Sequence, residues 1–394
     1  MSSLRIHFFT SYVHEQGTYF RYHNLARGLE QLGHRVTVFG CDVGVGAKSR
    51  QEVRDGISYE IIAESWKSSV FSQFNHPLTT LRRRLKNYPE CDVGHLFQPF
   101  WGAATAWEKC RSRVRFYDWD DQWTGGLFHG PITSWRQYWP RYMTRRLEES
   151  LPRRADHVTV VGEYLAKLAA ERGARSTTIV YNGFWPGPFH DRATARKLLG
   201  LRPDALYAGF MGRTLREIQW CFRGVEQNLT AYPNLRFALC GAPPEILADL
   251  PSATRERVDY LGHLAPQATR DFAAAIDLGL LPLDDTPFNR SRYPIKFCEH
   301  LASGNPLLCS EVGEVGKLSR NYSGVIPAGN TEAEWLAAFR RAISDLAAGI
   351  RPTADLTALR QTLSWEVVSE RLANDYQAAL AAPAARNTAT AALS

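Results

Sequence analysis

The sequence predicts an α/β protein built from two doubly wound domains that face one central cleft. Its 394 residues suit two domains of roughly 180 residues each. Near the amino terminus, an apolar strand (4–10), a helix (19–33) and a β-branched strand (34–40) form a β-α-β unit, which implies a parallel sheet. The same alternation begins again with a strand over 206–212. Ligands of such sheets bind at the carboxyl ends of the strands, so we expect a site between the domains.

The spacing of apolar residues predicts the remaining elements. In the first half we expect strands at 92–98, 114–120, 157–162 and 177–183 and a helix over 162–173. In the second half we expect strands at 235–241, 258–264, 277–283, 306–310 and 325–329 and helices at 218–232, 269–275, 295–304, 331–349 and 363–380.

The domain boundaries follow from composition. Residues 182–191 are rich in Gly, Pro and aromatic residues and are interpreted as a linker. The predicted division is an amino-terminal acceptor domain (1–186) and a carboxyl-terminal donor domain (187–365). A helix over 366–381 is expected to return to the first domain, and the tail (382–394) is expected to be disordered.

Composition indicates a soluble globular class, with 44% apolar and 22% charged residues. No apolar run approaches the roughly 18–20 residues that a membrane span needs, and the amino terminus is predicted to be a strand instead of a signal peptide. The cysteines are odd in number and scattered, which favours buried reduced thiols in the cytoplasm. They are Cys41, Cys91, Cys110, Cys221, Cys240, Cys298 and Cys309.

The net charge of +7 is confined to one half of the chain. Residues 1–190 contain 25 Lys and Arg against 18 Asp and Glu, whereas the remainder is balanced at 22 against 22. Basic clusters lie at 81–86, 111–115 and 141–154. This asymmetry favours an anionic partner such as a membrane surface, a phosphorylated lipid or an acidic polymer. The alternative is a solvated basic face without a partner. Nucleic acid is not expected, because no recognisable binding module accompanies the charge.

Candidate ligand-binding residues follow two strands of the first half. Gly17 permits close approach of the backbone to a ligand, and Thr18 is expected to cap the helix that follows. Asp118, Asp120 and Asp121 end a predicted strand. These carboxylates could orient a sugar hydroxyl, act as a base or hold a divalent cation, or they could be solvated acids at a helix end.

In the second half, cations follow a strand and begin a helix. Arg213 and Arg216 come just after the strand over 206–212 and could clamp a diphosphate. Lys296 and Glu299 are three residues apart on one helical face, just after Pro294. Lys296 favours phosphate, and Glu299 can accept hydrogen bonds from ribose hydroxyls. The alternative is an internal Lys–Glu pair.

At this point the chain resembles the retaining family-4 glycosyltransferases, which have the GT-B fold of two Rossmann-like domains. The resemblance runs along almost the whole chain. It implies transfer of a sugar from a nucleotide diphosphate with retention at the anomeric carbon, usually without a metal ion. The segments that carry it are "GTYFRYHNLARGLEQLGHRVTVFG", "ADHVTVVGEYLAKLAAERGARSTTIVYNGF", "GFMGR", "DYLGHL", "AAAIDLGLLPL" and "RYPIKFCEHLASGNPLLCSEVGEV".

The resemblance also implies roles for individual residues. Arg213 would contact the donor diphosphate, Glu299 the ribose, and Gly17 the β-phosphate or donor sugar. Asp118 or Asp120 would lie near the position at which many members of the family have a His that contacts the sugar. The full expected site has catalytic residues Asp118, Asp120, Arg213 and Lys296, donor-binding residues Gly17, Arg213, Arg216, Lys296, Glu299 and Gly313, and acceptor-side residues His14, Trp123 and Asn182.

The chain departs from the family pattern at two places. Ser291 stands where many members have a first Glu, eight residues before Glu299. Residues 214–220 contain no Lys, although the family often has one there. Either Arg216 or Lys296 supplies the missing charge, or the donor is bound in a different geometry.

Two other functions remain open from the sequence. One is a metal-dependent transferase that uses Asp118 and Asp120, and the other is a non-catalytic nucleotide-sugar binder. An oxidoreductase is disfavoured because the G-x-G-x-x-G fingerprint is absent. No cofactor or metal is expected besides the nucleotide diphosphate sugar as co-substrate.

The acceptor could be a glycan, a lipid-linked molecule or a small molecule, chosen by variable loops at 64–90 and 122–145. The expected location is the cytoplasm, with peripheral contact at the inner membrane surface as an option.

Overall fold

The computed structural model describes residues 2–43, 47–64, 77–124, 132–133, 135–212 and 217–382. Two α/β domains, each with a predominantly parallel sheet, make up this part of the chain. The predicted fold class is therefore confirmed.

The first sheet has the strand order β3-β4-β2-β1-β5-β6-β7-β8 over the described residues. Every neighbouring pair is parallel except β3 and β4. Its strands are β1 (Arg5–Phe9), β2 (Arg35–Val43), β3 (Arg50–Arg54), β4 (Ile57–Glu64), β5 (Cys91–Phe97), β6 (Ser112–Trp119), β7 (His157–Val160) and β8 (Thr177–Ile179). The accompanying helices are α1 (Thr18–Gln31), α2 (Pro77–Leu85), α3 (Trp101–Lys109), α4 (Trp135–Arg154) and α5 (Glu163–Glu171).

The second sheet has the order β11-β10-β9-β12-β13-β14, with parallel pairing throughout the described strands. Its strands are β9 (Leu206–Met211), β10 (Leu235–Cys240), β11 (Val258–Tyr260), β12 (Leu278–Leu281), β13 (Leu307–Ser310) and β14 (Val325–Ala328). The helices are α6 (Arg192–Leu199), α7 (Ile218–Asn228), α8 (Ser252–Arg255), α9 (Pro266–Ala275), α10 (Pro287–Ser291), α11 (Ile295–Ala302), α12 (Gly313–Ser319), α13 (Glu332–Ala347), α14 (Leu356–Leu363) and α15 (Trp365–Ala381), with a 3-10 turn at Pro244–Leu247.

Several differences from the predicted elements have physical reasons. The antiparallel hairpin β3–β4 was not predicted, because β3 is a polar edge strand with little buried surface. The predicted acceptor loops at 64–90 and 122–145 are partly helical, since α2 and the first half of α4 lie within them. The predicted helix over 363–380 is interrupted at Ser364, whose hydroxyl accepts a hydrogen bond from the Val367 amide and caps α15.

Helix α15 packs against α1 of the first domain. A Cβ on Gly28 would lie 2.1 Å from Ser369 Oγ, so the glycine permits this close contact. Nδ1 of the buried His95 lies 2.6 Å from the hydroxyl oxygen of Tyr376. The chain thus crosses from the first domain to the second after β8 and returns at the parallel bridge between Phe184 and Ser364.

The structure can be compared with the predictions about membrane-spanning helices and about the cysteines. No helix within the described ranges is long and apolar enough to cross a membrane. All seven cysteines are buried and free of disulfide bonds. The predicted tail, apart from Ala382, lies outside the described residues.

Candidate active site

The first domain presents its polar residues at the carboxyl edge of its sheet. Gly17 stands at the amino end of α1 with φ of 56°, and a Cβ there would lie 3.1 Å from the hydroxyl oxygen of Tyr12. Glycine therefore fits both the left-handed backbone and the close contact. The predicted capping role of Thr18 is wrong. Its hydroxyl instead donates a hydrogen bond of 2.6 Å to Asp120 Oδ2.

Asp118 forms a buried ion pair with Arg21 of α1. Arg21 Nε and Nη2 each donate a hydrogen bond of 2.8 Å to one carboxylate oxygen, and the Thr159 hydroxyl donates a third of 2.6 Å. Both charged side chains are at most 3% exposed. Burial lowers the pKa of Arg21, but the attraction and hydrogen bonds of Asp118, together with the charges of Asp120 and Asp121, raise it overall. The Asp118 carboxylate thus has its charge neutralised and its oxygens occupied.

Asp120 differs from Asp118, although it lies only two residues away. It is 8% exposed, and its Oδ1 atom has no hydrogen-bond partner in the described part of the chain. Burial, followed by repulsion from Asp118, raises the pKa of Asp120 to about 6. Asp120 therefore has one buried oxygen without a hydrogen-bond partner within the described residues, and its pKa is well above that of an ordinary aspartate.

Gln98 is a candidate that the sequence did not indicate. It follows β5, next to the strand of Asp118, and has φ of 76°, which is uncommon for a residue other than glycine. Its Nε2 atom donates a hydrogen bond of 3.1 Å to the Tyr12 hydroxyl, whereas its buried Oε1 has no partner among the described residues. Strained backbone of this kind concentrates at functional sites. In the sequence, Gln98 could have been noticed only as a polar residue that follows an apolar strand.

The three acceptor-side predictions fall in different environments. The side chain of His14 is 46% exposed, and its Nε2 atom lies 3.5 Å from Asp42 Oδ1. An open cavity of about 530 Å³ lies beside His14 on the Gly17 side of the domain. Its lining residues are Val13, His14, Glu15, Glu52, Val53 and Arg54.

Trp123 is buried and Asn182 is partly exposed, and both make contacts within the protein. Trp123 is 6% exposed and packs edge-on against Phe100, with ring centroids 4.9 Å apart. Glu148 holds this turn by accepting a hydrogen bond of 2.7 Å from the Trp123 amide. Asn182 accepts from Arg21 Nη1 at 3.1 Å and donates to the carbonyl oxygen of Tyr293 at 2.6 Å. These contacts position the loop and join the domains, and the predicted acceptor-side roles of both residues remain predictions.

In the second domain, Lys296 and Glu299 lie together on α11. Lys296 Nζ is 2.6 Å from Glu299 Oε2, and both side chains are about 30% exposed or less. The alternative interpretation of these residues as an internal Lys–Glu pair thus agrees with the structure. Cys240 lies at the end of β10, and burial raises the pKa of its thiol to about 12. The charges of Lys296 and Glu299 lie close enough to affect that pKa as well. The pair therefore lies at the carboxyl edge of the second sheet.

Gly313 lies at the start of α12 with φ of 54°. A Cβ at this position would lie 2.7 Å from the carbonyl oxygen of Arg290, so a larger residue would move α10 away. Arg213 and Arg216 lie outside the described residues. Their predicted diphosphate contacts therefore remain predictions.

The two domains meet next to these residues. The Gln122 amide donates a hydrogen bond of 3.1 Å to Ser291 Oγ, where many relatives would carry the first Glu. Burial raises the pKa of Asp121 and lowers that of Arg292, and the attraction between the two opposes both shifts. The acids at the end of β6 therefore face the basic segment that leads into α11.

Comparison with known proteins identifies the chain. The family model "Glycosyltransferase Family 4" matches residues 20–184, and "Glycosyl transferases group 1" matches residues 202–345. This protein belongs to the family 4 glycosyltransferases with the GT-B fold. The predicted family is therefore confirmed, and the protein is an enzyme of the sugar-transferring class.

Among relatives of this glycosyltransferase, TuaH of Bacillus subtilis (strain 168), provisionally assigned to teichuronic acid biosynthesis, is 22% identical over 347 residues. That match covers 82% of this chain and 85% of TuaH. The D-inositol 3-phosphate glycosyltransferase of Rhodococcus jostii (strain RHA1) is 27% identical over 203 residues, 48% of this chain and 44% of that protein. The chain thus matches less than half the length of this second relative.

Solved structures resemble this glycosyltransferase over nearly its whole length. Sucrose-phosphate synthase from Thermosynechococcus elongatus has a TM-score of 0.71 at 15% identity, covering 96% of this chain and 100% of that one. HepE from Anabaena, in complex with UDP and glucose, has a TM-score of 0.66 at 16% identity, covering 95% and 100%. At these identities the likeness establishes the fold.

Proposed function

We propose that this glycosyltransferase moves a sugar from a nucleoside diphosphate to an acceptor hydroxyl, with retention at the anomeric carbon and without a metal ion. The observation that carries the proposal is the environment of Asp120. Its Oδ1 atom, which has no hydrogen-bond partner among the described residues, lies near the start of α1, in the domain that faces Lys296 and Glu299. A carboxylate for a sugar hydroxyl and a cation for a diphosphate are thus supplied from opposite domains.

The second domain would bind the nucleotide end of the donor. Lys296 would turn from Glu299 to the diphosphate, and Glu299 would then accept hydrogen bonds from the ribose hydroxyls. Arg213 and Arg216 are proposed to add positive charge at the end of β9. HepE, solved with UDP and glucose and with UDP-glucose, supports a nucleotide-sugar donor for this fold.

The first domain would bind the sugar. Asp120 would accept a hydrogen bond from a sugar hydroxyl, while Gly17 would allow the backbone amides of α1 to approach the β-phosphate. Asp118 would act as a positioning residue, because its oxygens are occupied by Arg21 and Thr159. Catalysis would come from electrostatic stabilisation of the departing diphosphate in a cleft that excludes water.

The contacts of Asp118 also support a metal-independent reaction over an Asp-x-Asp metal site. A divalent cation shared by Asp118 and Asp120 would have to displace the Arg21 guanidinium from a buried bidentate pair. Removing one partner of such a pair leaves an uncompensated charge and typically costs about 3–5 kcal/mol. Arg21 already supplies the positive charge that a metal would bring.

The acceptor is proposed to be lipid-linked or part of a membrane-bound glycan, reached from the cytoplasmic side. Helix α2 exposes Leu81 and Leu85 beside Arg82 and Arg84. Helices α2 and α4 both contact α3 and so belong to the same helical layer of the domain. We call the exposed part of these two helices the α2–α4 surface; its exposed apolar residues are Leu78, Leu81, Leu85, Tyr138, Trp139 and Tyr142.

Apolar side chains flanked by arginine suit the boundary between anionic lipid headgroups and acyl chains. One structural neighbour, WaaG, is described as acting in lipopolysaccharide biosynthesis, with a TM-score of 0.62 at 13% identity over 94% of this chain and 99% of that one. The D-inositol 3-phosphate glycosyltransferases favour the alternative of a small soluble acceptor, supported here by the polar cavity beside His14.

A donor screen tests the proposal first. Thermal shift is measured with UDP-, GDP-, ADP- and dTDP-sugars, and the stabilising donor is then used for turnover with and without EDTA. One donor should raise Tm, turnover should survive EDTA, and NMR should find the anomeric configuration of the donor retained in the product. Complete loss of turnover with EDTA, restored by Mn²⁺ or Mg²⁺, would contradict metal independence; an inverted product would contradict retention. Donor binding without turnover would favour the non-catalytic binder.

A further inference from the structure

Three side chains that commonly bind metals lie together away from the cleft, beside the amino ends of the strands. Cys91 is the first residue of β5, Cys110 follows α3, and His7 lies within β1. Within the described ranges, they form the single group of three or more His, Cys, Asp or Glu side chains whose ligand atoms all lie within 4.8 Å of one another. All three are at most 5% exposed.

Two of the three separations between these atoms match the edges of a tetrahedron around zinc, and the third is at most 4.8 Å. Zn–S bonds of about 2.3 Å and Zn–N bonds of about 2.0–2.1 Å place two sulfurs about 3.8 Å apart and a sulfur and a nitrogen about 3.5 Å apart. The Cys91 and Cys110 sulfurs are 3.7 Å apart. Cys110 Sγ lies 3.6 Å from His7 Nδ1.

The chain next to the cluster reaches the surface. The carbonyl oxygen of Pro89 accepts a hydrogen bond of 3.5 Å from Cys110 Sγ. Pro89 and Glu90 are exposed, so the cluster is one residue away from solvent along the chain. A cation has a short way in at this edge of the sheet.

We propose that His7, Cys91 and Cys110 form a structural site for a thiophilic divalent cation, with Zn²⁺ as the natural occupant. The cation joins β1, β5 and the connection from α3 to β6, three segments far apart in sequence. Without it, the two thiols and the imidazole make only weak contacts with one another. The site lies at the opposite edge of the sheet from Asp120, so it stabilises the first domain and takes no part in sugar transfer.

Cobalt provides the direct test, because Co²⁺ bound by thiolates absorbs strongly and zinc displaces it. The full-length chain is reduced, freed of metal and titrated with Co²⁺ alone. We expect thiolate-to-cobalt absorption that saturates at one ion per chain, bleaching on addition of Zn²⁺ and a higher Tm with Zn²⁺. A reduced wild-type chain that develops no thiolate–cobalt absorption would overturn the proposal.

Substitutions locate the ion. Cys91→Ser, Cys110→Ser and His7→Gln should each weaken binding by more than about 100-fold, because even the residues that orient metal ligands are worth about 10–100-fold. Cys221→Ala is the matched control: it removes another fully buried thiol, in α7 of the second domain, and should leave the cobalt spectrum unchanged. Unchanged absorption in the Cys91→Ser/Cys110→Ser double variant would overturn the assignment.

A measurement on the wild type guards against variants that fail to fold. Zn²⁺ should slow alkylation of Cys91 and Cys110, mapped by peptide mass spectrometry, while the rate at Cys221 stays the same. Equal protection of all seven cysteines would indicate general stabilisation and would contradict coordination by these two.

Discussion

The protonation of Asp120 is set by two features of its surroundings, burial and the neighbouring Asp118 carboxylate. Together they raise its pKa from 3.8 to about 6. Between these two pH values the folded chain retains a proton that the unfolded chain has released. The free energy of unfolding therefore falls as pH rises from about 4 to about 6, and it stays reduced above that range. Ionised Asp120 is thus a destabilising group at neutral pH, as expected for a residue kept for its chemistry.

We therefore predict that Asp120→Asn stabilises the fold and impairs transfer. The free energy of unfolding should rise by about 1–3 kcal/mol at pH 7.5, with little gain at pH 4, while kcat/KM falls. Denaturant unfolding over a pH series measures the first effect. Asp249→Asn, which neutralises an exposed acid of the second domain, should show neither change. The same gain at both pH values would mean that ionisation of Asp120 is not its cause.

Glu299 carries the second prediction at this scale. Glu299→Gln removes the charge that Lys296 contacts and weakens the proposed acceptor for ribose hydroxyls, so donor affinity should fall by about 1–3 kcal/mol. Isothermal titration with the donor found by screening gives the value. Glu149→Gln is the control, because Glu149 also pairs with a cation on its own helix, Arg145 at 2.8 Å, but on the outside of α4. Wild-type affinity in Glu299→Gln would remove this residue from the site.

Site residues could be predicted from the sequence where their interaction partners are near in the chain. They could not be predicted where those partners are distant. Lys296 and Glu299 are three apart on one helix, so spacing alone brings them together. Arg21 and Asp118 are 97 residues apart in the sequence. Nothing in the sequence around Arg21 indicates that it pairs with this carboxylate. Gln98 likewise depends on a backbone conformation that tertiary packing imposes. Propensity and periodicity describe neighbours, whereas this site is assembled from the ends of separate strands.

At the scale of single elements, α2 shows that neighbouring arginines of one basic cluster can differ in burial. Its three consecutive arginines appear equivalent in the sequence, yet Arg83 is 2% exposed and donates a hydrogen bond of 2.9 Å to the Thr10 carbonyl oxygen. Arg82 and Arg84 are exposed. Substitution of all three would therefore disturb the core as well as the surface. The β-α-β periodicity predicted the sheets, but it did not predict which face of such a helix is buried.

The α2–α4 surface leads to a prediction about membranes. Arg82→Ser/Arg84→Ser should weaken binding to anionic liposomes by about 2 kcal/mol at low salt, since each basic residue near the surface contributes about 1 kcal/mol. Binding should also weaken at high salt. Cosedimentation measures both effects. Arg111→Ser/Arg113→Ser removes the same charge from exposed positions elsewhere and should bind like the wild type. If no variant and no salt concentration alters binding, the basic excess is a solvated face.

At the scale of the whole molecule, the buried carboxylate of Glu314 adds to the contacts that link the two domains. Glu314 of α12 accepts hydrogen bonds of 2.8 Å from the Glu163 amide and of 2.6 Å from the Tyr181 hydroxyl, both in the first domain. Glu163 also pairs with Lys317. These contacts join α12 to the amino end of α5, next to the cleft. The relative placement of the domains therefore depends on an acid that is 4% exposed.

Glu314→Ala should loosen the domains. The loss of two buried hydrogen bonds to a carboxylate should cost about 1–3 kcal/mol, increase the radius of gyration in X-ray scattering and raise KM for the donor. Glu311→Ala is the control, since Glu311 pairs with Arg320 within the second domain. An unchanged radius together with an unchanged KM would show that Glu314 does not hold the domains together.

The packing of α15 on α1 has a consequence for synthesis on the ribosome. Trp365, Leu372 and Tyr376 share a buried cluster with Tyr22 and other residues of α1 and β1. Roughly 200 residues separate β8 from the end of α15, and translation at about 5–20 residues per second delays their meeting by about 10–40 s. During that time the nascent first domain exposes an apolar groove that a chaperone could cover. The second domain, whose sheet and α13 emerge earlier, can fold first, so the domain that begins synthesis is completed last.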